Sequence, residues 1–115
     1  MAKDVRQMYN DMNEGIAKAT QESPEVVNAF FNLLHTSETN GPLDVKTKEL
    51  IALAVSVYCR CEYCIIGHCR SAYQAGATRE EILDAATTVI AYGGGPSFAY
   101  ISATLMACLD EFAND

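Results

Sequence analysis

The sequence predicts an all-α fold, a compact bundle of about six helices, on three observations. Apolar residues recur at helical rather than alternating spacing, Gly and Pro are confined to a few punctuation points, and the connections between helical stretches are short. With 115 residues there is room for one domain, spanning residues 1–115, and one modest core.

The first helix is expected from about Lys3 to Thr20; it is the most polar, and Gly15 is the point at which it would break. Ser23-Pro24 supplies an N-cap followed by proline at the first helical position. It opens a second helix through Val26, Val27, Phe30, Phe31 and Leu34 that should stop near His35, whose side chain would meet the final carbonyls. Thr36 to Pro42 reads as a turn-rich loop, and Asp44 can cap a third helix, Val45 to about Tyr58. That helix is apolar on nearly every side after Leu50, the pattern of a helix that is central or lies between subunits.

A fourth helix is expected to start near Cys61 and to close at Gly76, which can take the left-handed conformation of a helix end. Thr78 and Glu81 have the spacing of a capping box for a fifth, with Ile82, Ala85, Ala86, Val89 and Ile90 as its buried stripe. Gly93-Gly94-Gly95-Pro96 should end it and start a sixth helix, whose inner side would carry Phe98, Ile101, Leu105, Leu109 and Phe112. The glycine run lacks the lysine of a phosphate-binding loop and reads as a helix break.

Composition narrows the function. A net charge of −7 and a pI near 4.7 argue against nucleic acid and against an anionic membrane surface. The longest uncharged apolar stretch, Leu50 to Cys59, is about half a bilayer span. The segment Met1 to Arg6 runs into charge without the apolar core of a secretory signal, so a cytoplasmic location is expected. Half of the residues are hydrophobic, more than one small core can hide, and a homo-oligomer is expected. In a reducing compartment the five cysteines, an odd number, would not form a static disulfide framework.

Their spacing says more. Cys61-Glu62-Tyr63-Cys64 is a two-spacer pair at an expected helix start, where the N–H groups and dipole of the helix favour thiolate over thiol. At 100° per residue Cys61, Cys64 and His68 point within roughly 60° of one another, so an imidazole stands on the thiol face as a proton acceptor. If helices three and four form an antiparallel hairpin at Cys59-Arg60, Glu49 lies about 13 Å down one helix and His68 about 10 Å down the other. They can meet, and the carboxylate would then orient the base in a nucleophile, base and orienter arrangement.

These residues carry a family resemblance. The segment Glu49-Leu50-Ile51-Ala52-Leu53-Ala54-Val55-Ser56, then Cys61-x-x-Cys64-x-x-x-His68, then Ala75-Gly76-Ala77-Thr78-x-Glu80-Glu81-Ile82, resembles the carboxymuconolactone decarboxylase family. The cysteine pair resembles that of its alkylhydroperoxidase D branch, and the likeness runs from about Pro24 to Phe112. It implies a helical subunit assembled as a trimer or hexamer, hexamer favoured. It also implies a disulfide-cycling peroxidase or reductase in which the family's glutamate, two cysteines and distal histidine fall on Glu49, Cys61, Cys64 and His68. The substrate would be a hydroperoxide or small disulfide, with a dithiol of lipoyl or thioredoxin type as reductant and no bound cofactor. Tyr63 stands where that branch has a further histidine, and a phenol cannot act as a base at pH 7. Thiol chemistry should therefore carry over more fully than peroxidase turnover or the choice of electron donor.

Two other classes stay open. One is a non-catalytic oligomer that holds zinc with Cys59 or Cys69 as an added ligand, or packs its cysteines; the other is a true lactone decarboxylase. Cys59, Cys69 and Cys108 read as small buried hydrophobes.

Overall fold

A computed structural model describes residues 3–115; Met1 and Ala2, part of the N-terminal segment read above, lie outside it. Among the described residues the architecture is helical throughout, with no strand. The elements are α1 (Val5–Glu22), α2 (Pro24–Thr39), α3 (Val45–Tyr58), α4 (Glu62–Gln74), α5 (Arg79–Thr88), α6 (Ile90–Tyr100), a π-helical segment (Ile101–Leu105) and α7 (Met106–Glu111). Only Gly94 inside α6 departs from helical backbone, with φ 63° and ψ −147°. The chain therefore bends once at Gly94, and α6 beyond it, the π segment and α7 run on as one last rod. Counted as rods the helices are six.

The caps follow the local sequence. Asp4 accepts from the Gln7 N–H and Asp44 from the Thr47 N–H, while Thr78 and Glu81 close a reciprocal capping box at 3.1 and 2.9 Å. Gly15 leaves α1 unbroken. Ser23 is an N-cap by position, but its side chain makes no capping bond; proline, which lacks the N–H, follows it.

The expected end of the second helix is corrected. It runs to Thr39, not to His35, because Ser37 and Thr39 hydroxyls bond back to the carbonyls of Leu34 and His35 and the Lys48 ammonium caps Ser37 O at 2.8 Å and Asn40 O. His35, expected to meet those carbonyls, is exposed, and Lys48 of α3 takes that place.

α3 and α4 form the expected hairpin. Arg60 adopts a left-handed φ of 57°, and the Arg60 and Cys61 N–H groups return to Val57 O and Ser56 O, closing α3 in two residues. Cys59 at this corner is exposed, contrary to expectation, since a turn residue outside both helices has no interior to enter. Cys69 and Cys108 are buried.

α4 is the central helix, packed against α1, α3, α5, the π segment and α7. The core joins Leu53 and Val57 of α3 to Ile65, Ile66, Cys69 and Ala72 of α4, and to Ile82, Ala86, Ile101, Leu105, Leu109 and Phe112. Phe98, expected on the inner side, is exposed instead. Ser97 takes the inner position and sits so close to Gly93 that a Cβ there would fall 1.9 Å from its Oγ, so the last rod starts by packing on bare backbone. The wider turn of the π segment then presents buried Thr104 to the start of α4, where it donates to Glu62 at 3.3 Å and Lys3 pairs with the same carboxylate.

α2 buries no residue, and Val26, Phe30, Leu33, Ile51, Val55, Tyr58, Tyr92 and Phe98 all lie open. The accessible surface of 6923 Å² exceeds the roughly 6,200 Å² of a compact monomer of this mass. The radius of gyration, 14.3 Å, also exceeds the about 13.3 Å of a self-contained domain of this length. No helix among the described residues is long and apolar enough to cross a membrane.

Candidate active site

Cys61 is the N-cap of α4 and Cys64 lies in its first turn. That cap conformation brings their Cα atoms to 5.2 Å, within disulfide range, and the two are bonded. The Cys64 N–H points at the Cys61 sulfur at 3.3 Å, one of the orphan donors of the helix start. A charge on Cys61 sulfur would therefore meet a hydrogen-bond donor and the positive end of α4 together. Glu62 between the cysteines is tied to Lys3 and Thr104, so α1 and the last rod fix where α4 begins.

Glu49 and His68 meet as the hairpin requires: Nδ1 of the ring is 2.9 Å from Oε2 of the carboxylate. Glu49 is buried, its side chain 4% exposed, and His68 is three-quarters covered. A carboxylate can only accept, so Nδ1 carries the hydrogen, and in the neutral ring Nε2 is left as the free base. The Glu49 hydrogen bond raises the proton affinity of the imidazole above its ordinary value; burial opposes this and the Glu49 and Glu38 charges add to it.

A cavity of about 390 Å³ opens beside this pair. Cys64, Gly67, His68 and Ser71 form its α4 wall, Tyr9, Met12, Asn13 and Ile16 its α1 wall, and Phe30, Phe31, Leu34 and Glu38 its α2 wall. Tyr63 lines it as well, so the residue that replaces the branch's second histidine faces the site as a phenol. The lining is mostly apolar around one thiol position, one base and one carboxyl group, which suits a substrate with an apolar body and a polar reacting end.

Of the four residues singled out from the sequence, Cys61 and Cys64 are bonded at the start of α4, Glu49 and His68 are hydrogen-bonded, and Cys64 and His68 line one cavity. Glu38 was missed. The sequence reading placed it in a loop, yet it lies four residues after Leu34 on a helix that continues, and its carboxylate comes within 4.8 Å of donor atoms of both Glu49 and His68. Among the described residues this is the one trio of His, Cys, Asp and Glu donor atoms so close together. Two carboxylates and an imidazole could hold a divalent ion or share protons among themselves. Among the described residues neither Cys59 nor Cys69 forms such a cluster with the cysteine pair, which stands here as a disulfide.

Comparison with known proteins agrees with this geometry. The family model described as the carboxymuconolactone decarboxylase family matches residues 24–105. An uncharacterised protein of Cupriavidus necator is 30% identical over 105 residues, covering 91% of this chain and 93% of its own. A carboxymuconolactone decarboxylase family protein of Legionella pneumophila, solved in its apo form, superposes with a TM-score of 0.89 at 36% identity, over 96% of this chain and 97% of that one. Another, from Thermotoga maritima, for which involvement in an antioxidative response has been suggested, gives 0.75 at 32% identity over 95% and 89%. The matched span contains α2 to the π segment and with them Glu38, Glu49, Cys61, Cys64 and His68, and the chain belongs to the carboxymuconolactone decarboxylase family.

Proposed function

We propose that this protein is a thiol-dependent oxidoreductase of the alkylhydroperoxidase D type, which reduces a hydroperoxide or small disulfide at the Cys61–Cys64 pair. The observation that carries the reading is a disulfide at a helix N-terminus whose Cys64 lines a cavity shared with an imidazole paired with a buried carboxylate.

With a hydroperoxide the chemistry balances as follows. His68 Nε2 takes the proton of the attacking thiol, and the thiolate breaks the O–O bond to give a sulfenic acid and an alcohol. The second cysteine then displaces water and closes the disulfide; two thiols are oxidised and one hydroperoxide is reduced. Glu49 stabilises the imidazolium and fixes its tautomer. A dithiol of lipoyl or thioredoxin type returns the pair to its reduced form by exchange.

The same reading assigns the open apolar faces of α2 and α3 to contacts between copies of the chain, with a hexamer favoured over a trimer, in the cytoplasm. Reduced protein mixed with one equivalent of cumene hydroperoxide tests the chemistry. It should lose two thiols per chain, give the Cys61–Cys64 disulfide by mass mapping and release one equivalent of alcohol. Free Cys61 and Cys64 beside oxidised Cys59, or no alcohol, would contradict it.

A further inference from the structure

Glu38 has no part in the relay described so far, yet it stands against both of its members. It comes from α2, half-buried, and among the described residues it is the carboxylate that lines the cavity, whereas buried Glu49 stands behind His68. The other ionisable groups around it are His35 on its own helix, Lys48 of α3, Cys64 and Tyr63 of α4, and Tyr9 of α1. The Lys48 ammonium is committed to the carbonyls of Ser37 and Asn40 and does not neutralise the Glu38 carboxylate directly.

Two carboxylates this close cannot both stay ionised beside a single imidazolium without leaving one charge unmatched in a half-covered site. One solution is a shared proton. We propose that Glu38 is the outer member of the relay, sharing one proton with Glu49 and passing protons between the cavity and the Glu49–His68 pair. This rests on the proposed function and deepens it: the alcohol oxygen released from the hydroperoxide needs a proton, and Glu38 is the carboxylic acid on the cavity wall that can give it. The thiol proton held on His68 Nε2 then passes across the cavity to the Glu38 carboxylate, so Nδ1 keeps its hydrogen on Glu49 and no proton is gained or lost by the site in a turnover. Glu38 also holds its proton more tightly than an ordinary carboxylic acid, first because it is partly buried and then because the Glu49 charge and hydrogen bond lie beside it.

The role is that of a proton donor that shares its proton with Glu49, and the test needs a readout that packing alone would not move. In the oxidised protein, which needs no substrate, ring signals of His68 followed by NMR against pH should show two midpoints, one for the shared proton and one for the ring. Glu38→Gln, which keeps the shape and a hydrogen-bond donor, should leave one; Glu38→Asp should restore the second. In the reduced protein Glu38→Gln should slow hydroperoxide-driven disulfide formation by roughly 10²-fold, the low end of the range for loss of a general acid or base. A single His68 midpoint in both wild type and Glu38→Gln would overturn the proposal whatever the enzyme's activity. Micromolar binding of Zn2+ alone to the wild type, lost in Glu38→Gln, together with that single midpoint, would overturn it in favour of a cation site. Failure of the wild type to react with hydroperoxide, with two midpoints intact, would sink the proposed function and leave the shared proton standing.

Discussion

Leu53 and Val55 stand two residues apart on α3, yet Leu53 is fully enclosed and Val55 is 54% exposed. The side of α3 that carries Leu53 and Val57 is closed by α4, and Glu49 on α3 meets His68 of α4. The opposite side, with Ile51, Val55 and Tyr58, is about half exposed, and α2 beside it buries no residue. The half of the hairpin that carries Glu49 and Leu53 is thus covered by the chain itself, whereas the outer half is half-exposed apolar surface, of the kind that marks an association site. The contrast also divides the cavity: its α4 wall belongs to a helix that buries Ile65, Ile66, Cys69 and Ala72, while its α2 wall belongs to a helix that buries no residue.

The most drastic way to break the comparison is to act on the inner side alone. Cys61→Ser and Cys64→Ser should each abolish turnover with hydroperoxide, read as consumption in the presence of a dithiol, and leave the oligomer unchanged in light scattering. On the outer side Val55→Asp should have the reverse signature, a species of about 12.5 kDa in which helical content is kept. A stable monomer in the wild type at micromolar concentration would remove the outer half of the account.

Stability separates the two sides more quietly. Leu53→Ala should cost about 2–5 kcal/mol in denaturant unfolding, as expected for a buried leucine. Thr78→Ala, which opens the capping box of α5 far from both faces, should cost about 1 kcal/mol. The smallest effect is in the pH dependence. Because the Glu49 hydrogen bond raises the native proton affinity of His68, the pair contributes fully below the ordinary histidine value near 6.5 and loses its contribution as pH rises through the raised native value. The stability gap between wild type and His68→Ala should therefore be wider at about pH 6 than at about pH 9, by urea unfolding.

Much of the site was legible because it depends on short-range rules. A two-spacer pair at a helix start, an imidazole one turn on and a two-residue corner at Cys59-Arg60 fix three of the four groups locally. Glu49 followed from counting rise along a hairpin. What escaped reading depended on side chains from elsewhere in the chain. Lys48 caps α2 from eight residues beyond Asn40 and so carries the helix past His35, bringing Glu38 into place. Phe98 was assigned to the core by spacing, but the closeness of Ser97 to bare Gly93 and the turn of extra width at Ile101–Leu105 set which face looks inward. The family resemblance, carried by residues 49 to 82, was legible for the same reason: two of its motifs hold Glu49, Cys61, Cys64 and His68, and the third holds the Thr78–Glu81 capping box.

The central claim, that Glu49 and His68 act as one relay on the cysteine pair, is tested most directly by the rate of alkylation and of peroxide-driven disulfide formation against pH. The measurement compares reduced wild type, Glu49→Gln, His68→Ala and the double variant. The account predicts that His68→Ala slows thiolate formation at pH 7 by roughly 10²- to 10⁴-fold. Glu49→Gln should slow it as well, and the double variant should be little worse than His68→Ala, because groups that act as a unit do not add. Rates and thiol pKa values unchanged in both single variants would contradict it and reduce Glu49 and His68 to a buried packing pair.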